Sequence, residues 1–205
     1  MSERTAPSPP QPTLVTTWHL QMLDPAAHVH ARQPDPAPVI ERALRPSPAF
    51  SRFLYTAVGG HWYWRDRLGW SFARWQRHLD RPQLQTWVLY DQGSPGGYIE
   101  LEQQAGAAVE IAYFGLLPEC IGKGYGGYLL DFGIERAWAM GARRVWVHTC
   151  SLDGPHARAN YEARGMTLFH TEQHEVDLPP APPGPWPGWG RDDEGASAPA
   201  PGDVC

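Results

Sequence analysis

V-E-I-A-Y-F-G-L-L-P-E-C-I-G-K-G-Y-G-G-Y-L-L-D-F-G-I-E-R-A-W, residues 109–138, reads as a strand, a tight glycine turn and a helix. Residues 109–116 are apolar apart from Glu110, and Pro118 ends the strand. Gly122, Gly124, Gly126 and Gly127 follow, interrupted by Lys123 and Tyr125. Leu130, Ile134, Ala137 and Trp138 then recur at helical spacing, and Gly141 stops the helix. A glycine turn feeding a helix N-terminus leaves backbone N–H groups unpaired and unshielded. The helix dipole and those free donors together favour an anion such as a pyrophosphate.

Gly122, Gly124 and Gly127 satisfy G-x-G-x-x-G, the dinucleotide pattern. In a dinucleotide fold the first glycine follows the strand almost at once, and an acid ends the next strand to hold a ribose. Here residues 116–121 separate the strand body from Gly122, and the next strand ends in His148-Thr149-Cys150 without an acid. An NTPase loop also fails, because Gly124 follows Lys123 where Ser or Thr is needed.

The stretch Ile121-Gly122-Lys123-Gly124-Tyr125-Gly126 resembles the acetyl-CoA motif of the GNAT superfamily of N-acetyltransferases, Arg/Gln-x-x-Gly-x-Gly/Ala. In the histone-acetyltransferase branch a catalytic glutamate lies eleven residues before the first motif position, and Glu110 lies eleven before Ile121. Tyr161-Glu162-Ala163-Arg164-Gly165-Met166 is similar to a second signature, Tyr-x-x-x-Gly-Phe. The resemblance spans about residues 13–175. Three positions depart from the family pattern. Ile121 replaces the Arg or Gln, Gly154 stands where an asparagine is usual (with Asp153 beside it), and Met166 replaces the aromatic.

The resemblance implies an α+β GNAT fold, a mixed sheet of about six strands flanked by about four helices. It implies transfer of an acetyl group from acetyl-CoA to a primary amine, directly, in a ternary complex. Glu110 would be the base. The backbone N–H of Phe114 would polarise the thioester, and Leu116 would pair with the pantetheine arm. Tyr161 would protonate the sulfur. Ile121, Gly122, Lys123, Gly124, Tyr125, Gly126 and Gly127 would form the cofactor cradle. Bland alternatives stand beside these roles. Strand alternation alone makes Glu110 a solvated residue, Tyr161 can be a core tyrosine, and Lys123 can be a solvated loop charge. An acyl-CoA-binding sensor without turnover is the alternative function.

The rest of the chain fits one domain, residues 13–178, with disordered ends at 1–12 and 179–205. The stretch 178–205 holds eight prolines and five glycines, with Trp186 and Trp189 unexplained within it. Strands are expected near 14–23, 85–90, 97–103, 107–116, 144–149 and 167–176. Ser47-Pro48 starts one helix, with Phe50, Phe53, Leu54 and Ala57 on its apolar face. Ser71 caps a second, with Phe72, Trp75 and Leu79 inward, and residues 153–164 form a short one after the fifth expected strand. This leaves no room for a seventh strand, so the last strand is expected to present an open edge that a partner chain in a homodimer, or else the tail, covers.

Acceptor recognition is assigned to the cluster His61-Trp62-Tyr63-Trp64-Arg65-Asp66-Arg67. An aromatic wall with Trp64 suits a cationic amine whose charge pairs with Asp66 or Glu100. The alternative is that the tryptophans fill core and Asp66 pairs with its arginine neighbours. Net charge is −5, Lys123 is the sole lysine, and no basic stripe points to nucleic acid. Three cysteines form no framework, which fits a reducing cytoplasm. No run suggests a membrane span. The nine histidines form no H-x-x-x-H pair with a nearby acid on a stretch that reads as helix, so no metal is expected.

Overall fold

The computed structural model describes residues 11–185. Seven strands and four helices alternate along this chain: β1 (Gln11–Met22), β2 (Val39–Arg42), α1 (Pro48–Gly59), α2 (Phe72–Leu79), β3 (Leu84–Asp91), β4 (Ser94–Gln104), β5 (Ala108–Leu116), α3 (Tyr125–Ala139), β6 (Arg144–Cys150), α4 (Ala157–Ala163) and β7 (Thr167–Leu178). The strands form one sheet in the order β2-β3-β4-β5-β6-β1-β7. Every neighbouring pair is antiparallel except β5 and β6.

The α+β expectation is met, and the strand count rises from six to seven. The added strand is β2, four residues that pair Val39–Arg42 with Tyr90–Trp87 of β3. Alone, V-I-E-R after a proline carries no alternation long enough to read; pairing makes it a strand. The disordered start expected for 1–12 is corrected at its end, because β1 begins at Gln11; residues 1–10 lie outside the described residues. Trp186 and Trp189 also lie outside them. The tail does not leave the domain at once. Tyr63 Oη donates to Pro179 O at 3.3 Å and Gly184 N donates to Gly60 O at 3.0 Å.

Local chemistry sets the helix ends. Ser47 Oγ accepts from Phe50 N at 3.4 Å with Pro48 in the first turn of α1, and Ser71 Oγ accepts from Arg74 N at 3.3 Å at α2. Two inward assignments are corrected. Phe72 is 69% exposed and Phe53 is 45% exposed, while Leu54 and Trp75 are buried. The helices touch the sheet over a narrower stripe than the apolar residues span. The fourth helix starts at Ala157, because Asp153 is taken up in the turn after β6. Its Oδ2 accepts from Thr149 Oγ1 at 2.6 Å and from Cys150 N at 2.8 Å.

The larger core lies between α3 and one sheet face: Leu20, Ile99, Val109, Leu130, Ile134 and Val145 are fully buried. A Cβ on Gly133 would come within 2.2 Å of Ile99 Cδ1, so glycine there lets α3 approach β4. The smaller core, with Leu54, Val58, Val88 and Tyr98, lies under α1 on the other face. β7 ends the sheet. It is paired along one side by β1 and is mostly exposed, and among the described residues no strand pairs its other side.

Candidate active site

Two features of β5 open the sheet. Its parallel pairing with β6 is confined to Ala108–Glu110 against Arg144–Trp146. Its register against β4 shifts between Glu100 and Leu101, which face Tyr113 and Ile111 and leave Ala112 as the extra residue. A bulge strengthens local twist and bends the strand. β5 and β6 therefore part beyond Glu110. A cleft of about 750 Å³ fills the gap. Toward β6, the backbone groups of β5 beyond Glu110 have no ladder partner.

The glycine turn stands at one end of this cleft. Gly122 and Gly124 have φ of 84° and 79°, and a Cβ on either would meet nothing within 4 Å. Glycine is there for the left-handed backbone. Gly124 caps α3 without a side-chain hydrogen bond, so the first N–H groups of the helix remain available. Ile121, Gly126, Leu116, Phe114 and Asn160 line the adjoining wall. Asn160 was missed by sequence reasoning. The usual asparagine position is Gly154, but α4 brings the Asn160 amide within 4 Å of where a Cβ on Gly126 or Gly127 would sit. Only its place beside the tyrosine of the second signature could have suggested it.

Two of the seven cradle residues face away. Tyr125 is buried and its Oη donates to Asp91 Oδ1 at 3.2 Å, while Lys123 Nζ lies 3.0 Å from Asp91 Oδ2. Their side chains tie the turn to the end of β3. Only their backbone is left for the expected cradle.

Tyr161 of α4 lines the middle of the cleft, edge-on to Phe114 at 5.9 Å between ring centroids. Burial pushes its pKa far up, so it stays protonated. Opposite stands the aromatic cluster. Trp62, Tyr63, Trp64 and Asp66 all line the cleft. The Trp64 indole fills the space beside Gly59, where a Cβ would come within 2.0 Å of it. Asp66 is exposed and oriented by two phenols: Tyr55 Oη donates to Oδ1 at 2.7 Å, and Tyr113 Oη to Oδ2 at 2.6 Å. The expected alternative pairing of Asp66 with its neighbouring arginines is not met, since two tyrosines hold it.

Two expected site acids are displaced. Glu100 is 2% exposed and lies outside the cleft lining, 2.8 Å from Arg67 Nη2 and 3.3 Å from His78 Nε2. Its face of β4 is covered by α2, which the sequence could not show. Burial pushes the Glu100 pKa up, but the His78 hydrogen bond and Arg67 outweigh it and hold it below the usual range. Glu100→Gln should destabilise the fold by about 3–5 kcal/mol, because Arg67 is then buried without its counter-charge. The folded pKa is depressed, so this contribution is present above the ordinary glutamate pKa and is lost as pH falls through the folded value. Urea unfolding at pH 7 and below pH 4 checks it: the wild-type and variant stabilities should converge in acid.

Glu110 is also outside the lining. Its Oε2 accepts from Gln104 Nε2 at 2.6 Å, and its Oε1 lies 3.2 Å from His148 Nδ1. His148 on β6 does line the cleft and is half exposed. The hydrogen bond to Glu110 raises the His148 pKa, against the effect of burial. The pair arises because Glu110 and His148 project from the same sheet face just where β5 and β6 part. Cys150 lines the cleft too, and burial raises its thiol pKa, which leaves it protonated and a poor nucleophile.

The sequence profile described as the acetyltransferase (GNAT) family matches residues 50–166. No curated protein matches the chain. Among solved structures, a GCN5-related N-acetyltransferase from Sphaerobacter thermophilus is 18% identical with a TM-score of 0.57, covering 83% of this chain and 55% of its own. One from Kribbella flavida is 18% identical with a TM-score of 0.57, covering 81% and 60%. An aminoglycoside acetyltransferase from an uncultured soil metagenomic sample, in complex with trehalose, is 14% identical with a TM-score of 0.56, covering 69% and 95%. The match thus spans little more than half the length of the first two relatives.

Proposed function

The chain belongs to the acetyltransferase (GNAT) family, and on that premise we propose that its cleft transfers an acetyl group from acetyl-CoA to a primary amine in one ternary complex. One observation carries this reading. A single cleft joins the glycine turn at the start of α3 to an aromatic wall bearing an exposed carboxylate, with His148 and Tyr161 between them. Bound acetyl-CoA would supply an activated thioester. The α3 N-terminus and the Gly122–Gly124 turn suit its pyrophosphate, since both favour an anion and no side chain shields them. The open edge of β5 suits the pantetheine amides, which can add to it as a strand would. Phe114 and Leu116 are two apart and present backbone groups to the same side.

His148 takes the proton from the acceptor ammonium. With Nδ1–H donated to Glu110, Nε2 keeps its lone pair for the cleft, the base-plus-orienter arrangement of general catalysis. Glu110 acts through His148. Asp66 pairs with the acceptor's charge, and Trp64 offers an aromatic face. Tyr161, held protonated, donates a hydrogen bond to the sulfur as it leaves. Direct attack needs no acyl-enzyme, which agrees with a Cys150 thiol that stays protonated.

Among the described residues no helix is long and apolar enough to cross a membrane. A cytoplasmic enzyme, and a homodimer at the exposed sheet edge of β7, are parts of the same proposal; light scattering on the purified chain tests the second.

The deciding experiment measures free thiol release from acetyl-CoA across a library of amines that includes polyamines and amino sugars. Amine-dependent release with at least one class is expected, alongside CoA binding without NAD or ATP binding. CoA binding with no release across the library would instead establish the non-catalytic sensor, and binding of NAD in place of CoA would overturn the family assignment of the cleft.

A further inference from the structure

The loop joining β1 to β2, residues 23–38, lies against the outside of α3. Backbone anchors it to the neighbouring turn between α4 and β7. Val29 N donates to Arg164 O at 3.1 Å, and the Ala27 carbonyl occupies the place a Cβ on Gly165 would take. Residues two apart on extended backbone point the same way, and His28 is extended, with φ −67° and ψ 121°. His28 and His30 both meet α3, their ring centroids 4.5 Å apart. The helix presents Asp131 and, one turn on, Glu135. His28 Nε2 lies 2.7 Å from Asp131 Oδ1. His30 Nδ1 lies 3.1 Å from the same oxygen and 3.8 Å from Glu135 Oε1.

The buried member is the informative one. The His28 side chain is 5% exposed, and its Nε2 has no hydrogen-bond partner. Asp131 Oδ1 is close enough to be one, but it lies off the axis along which the ring nitrogen directs its proton or lone pair. A buried polar atom without a hydrogen bond calls for an explanation. We propose that His28, His30 and Asp131, with Glu135 as the fourth donor, bind a divalent transition-metal ion, zinc by the chemistry of the set. Donor atoms of His28, His30 and Asp131 lie within 4.8 Å of one another. Around a tetrahedral zinc with bonds of about 2.0–2.1 Å, donors are about 3.3 Å apart. Two imidazoles and two carboxylates suit zinc rather than calcium or magnesium, which take oxygen ligands. The two carboxylates outweigh the one neighbouring cation, Arg164.

None of these donors lines the cleft. The ion is therefore structural. It staples the 23–38 loop to the helix whose first residues form the glycine turn, and Asp131 lies seven residues from Gly124. A second trio, His19, His170 and Glu172, has comparable spacing. There His19 Nε2 is hydrogen-bonded to Glu172 at 3.0 Å, as His30 Nδ1 is to Asp131 at 3.1 Å, but no buried nitrogen is left without a hydrogen bond as His28 Nε2 is. That trio serves as the internal control.

The test uses the full chain without an affinity tag, stripped of metal with a chelator and dialysed. Cobalt is titrated by visible absorption and zinc by calorimetry. One cobalt per chain with the intense bands of four-coordinate geometry is expected, displaced by zinc, and zinc in excess should raise Tm by several degrees. His30→Ala changes a side chain that is 66% exposed, so folding is safe. It should weaken zinc at least tenfold, as should Asp131→Asn, while His170→Ala leaves affinity unchanged. Absence of saturable one-equivalent binding, undiminished affinity in folded His30→Ala, or loss of binding in His170→Ala would each overturn the site. None of these readouts depends on acetyl transfer, so failure here and failure of the proposed activity are distinguishable.

Discussion

Gly126→Glu is expected to fold normally and to lose CoA affinity by about a hundredfold or more. Gly126 lies in the first turn of α3 and lines the cleft. A Cβ there would sit 3.7 Å from Leu116 Cδ1 and 3.8 Å from Asn160 Nδ2, ordinary contact distances. A carboxylate near a helix N-terminus gains about 0.3–1 kcal/mol from the dipole, so the fold is not penalised. The same carboxylate would occupy the position proposed for the pyrophosphate. Like charges about 5 Å apart at an effective dielectric near 20 repel by about 3 kcal/mol, which is about a hundredfold in affinity. Gly126 is a cleaner target than Gly124 or Gly122. At those two the positive φ would strain any side chain, and a loss of binding could come from the backbone. Calorimetry decides the matter. Gly126→Ala should stay within a few-fold of wild type, and a folded Gly126→Glu chain with wild-type CoA affinity would remove the turn from the binding site.

His148→Gln is expected to cut turnover by roughly 10²–10⁴, the usual worth of a positioned base. The more discriminating result concerns Glu110. Wild-type kcat/KM should rise with pH as His148 loses its proton, and the midpoint should lie above the ordinary histidine value near 6.5, because the Glu110 hydrogen bond raises that pKa. Glu110→Gln removes the largest cause of the rise. The His148 pKa then falls, so the acid limb of the profile moves to lower pH while the plateau drops. If Glu110 were itself the base, the variant would lose the enzyme's limb altogether, and free amine at high pH would partly restore the rate. The acceptor's own ionisation is common to all variants and cancels in the comparison. A limb that stays in place in Glu110→Gln, with His148→Gln fully active, would exclude the pair.

The glycine turn illustrates what local sequence can carry. Left-handed backbone needs glycine and a helix start needs free N–H groups; both requirements are met within a few residues, so Gly122 and Gly124 were legible. The same holds for Ser47 and Ser71, whose hydroxyls cap amides three residues on. The pairing of Glu110 with His148 was not legible. It depends on where two strands distant in the chain stop hydrogen-bonding, and a bulge at Ala112 contributes to that. Glu100 shows the converse error. It sits on the expected strand, but α2 closes over that face with His78, and the segment before α2 brings Arg67 to it.

From its sequence alone this protein has its glycine turn ahead of a helix, its two serine caps, and the strand and helix that carry Glu110 and Tyr161; the α+β class and the roles expected of those two residues came through the resemblance to a family. The local features follow from periodicity, turn chemistry and spacing, which act over a few residues. The tertiary structure decided that β1 enters the sheet between β6 and β7, and that four residues at Val39 become a strand. It also decided that Glu110 faces His148 rather than the cleft, and that two histidines of a connecting loop meet two carboxylates of α3. Each depends on groups brought together across long stretches of chain, where packing and register choose the partner and no local pattern records it.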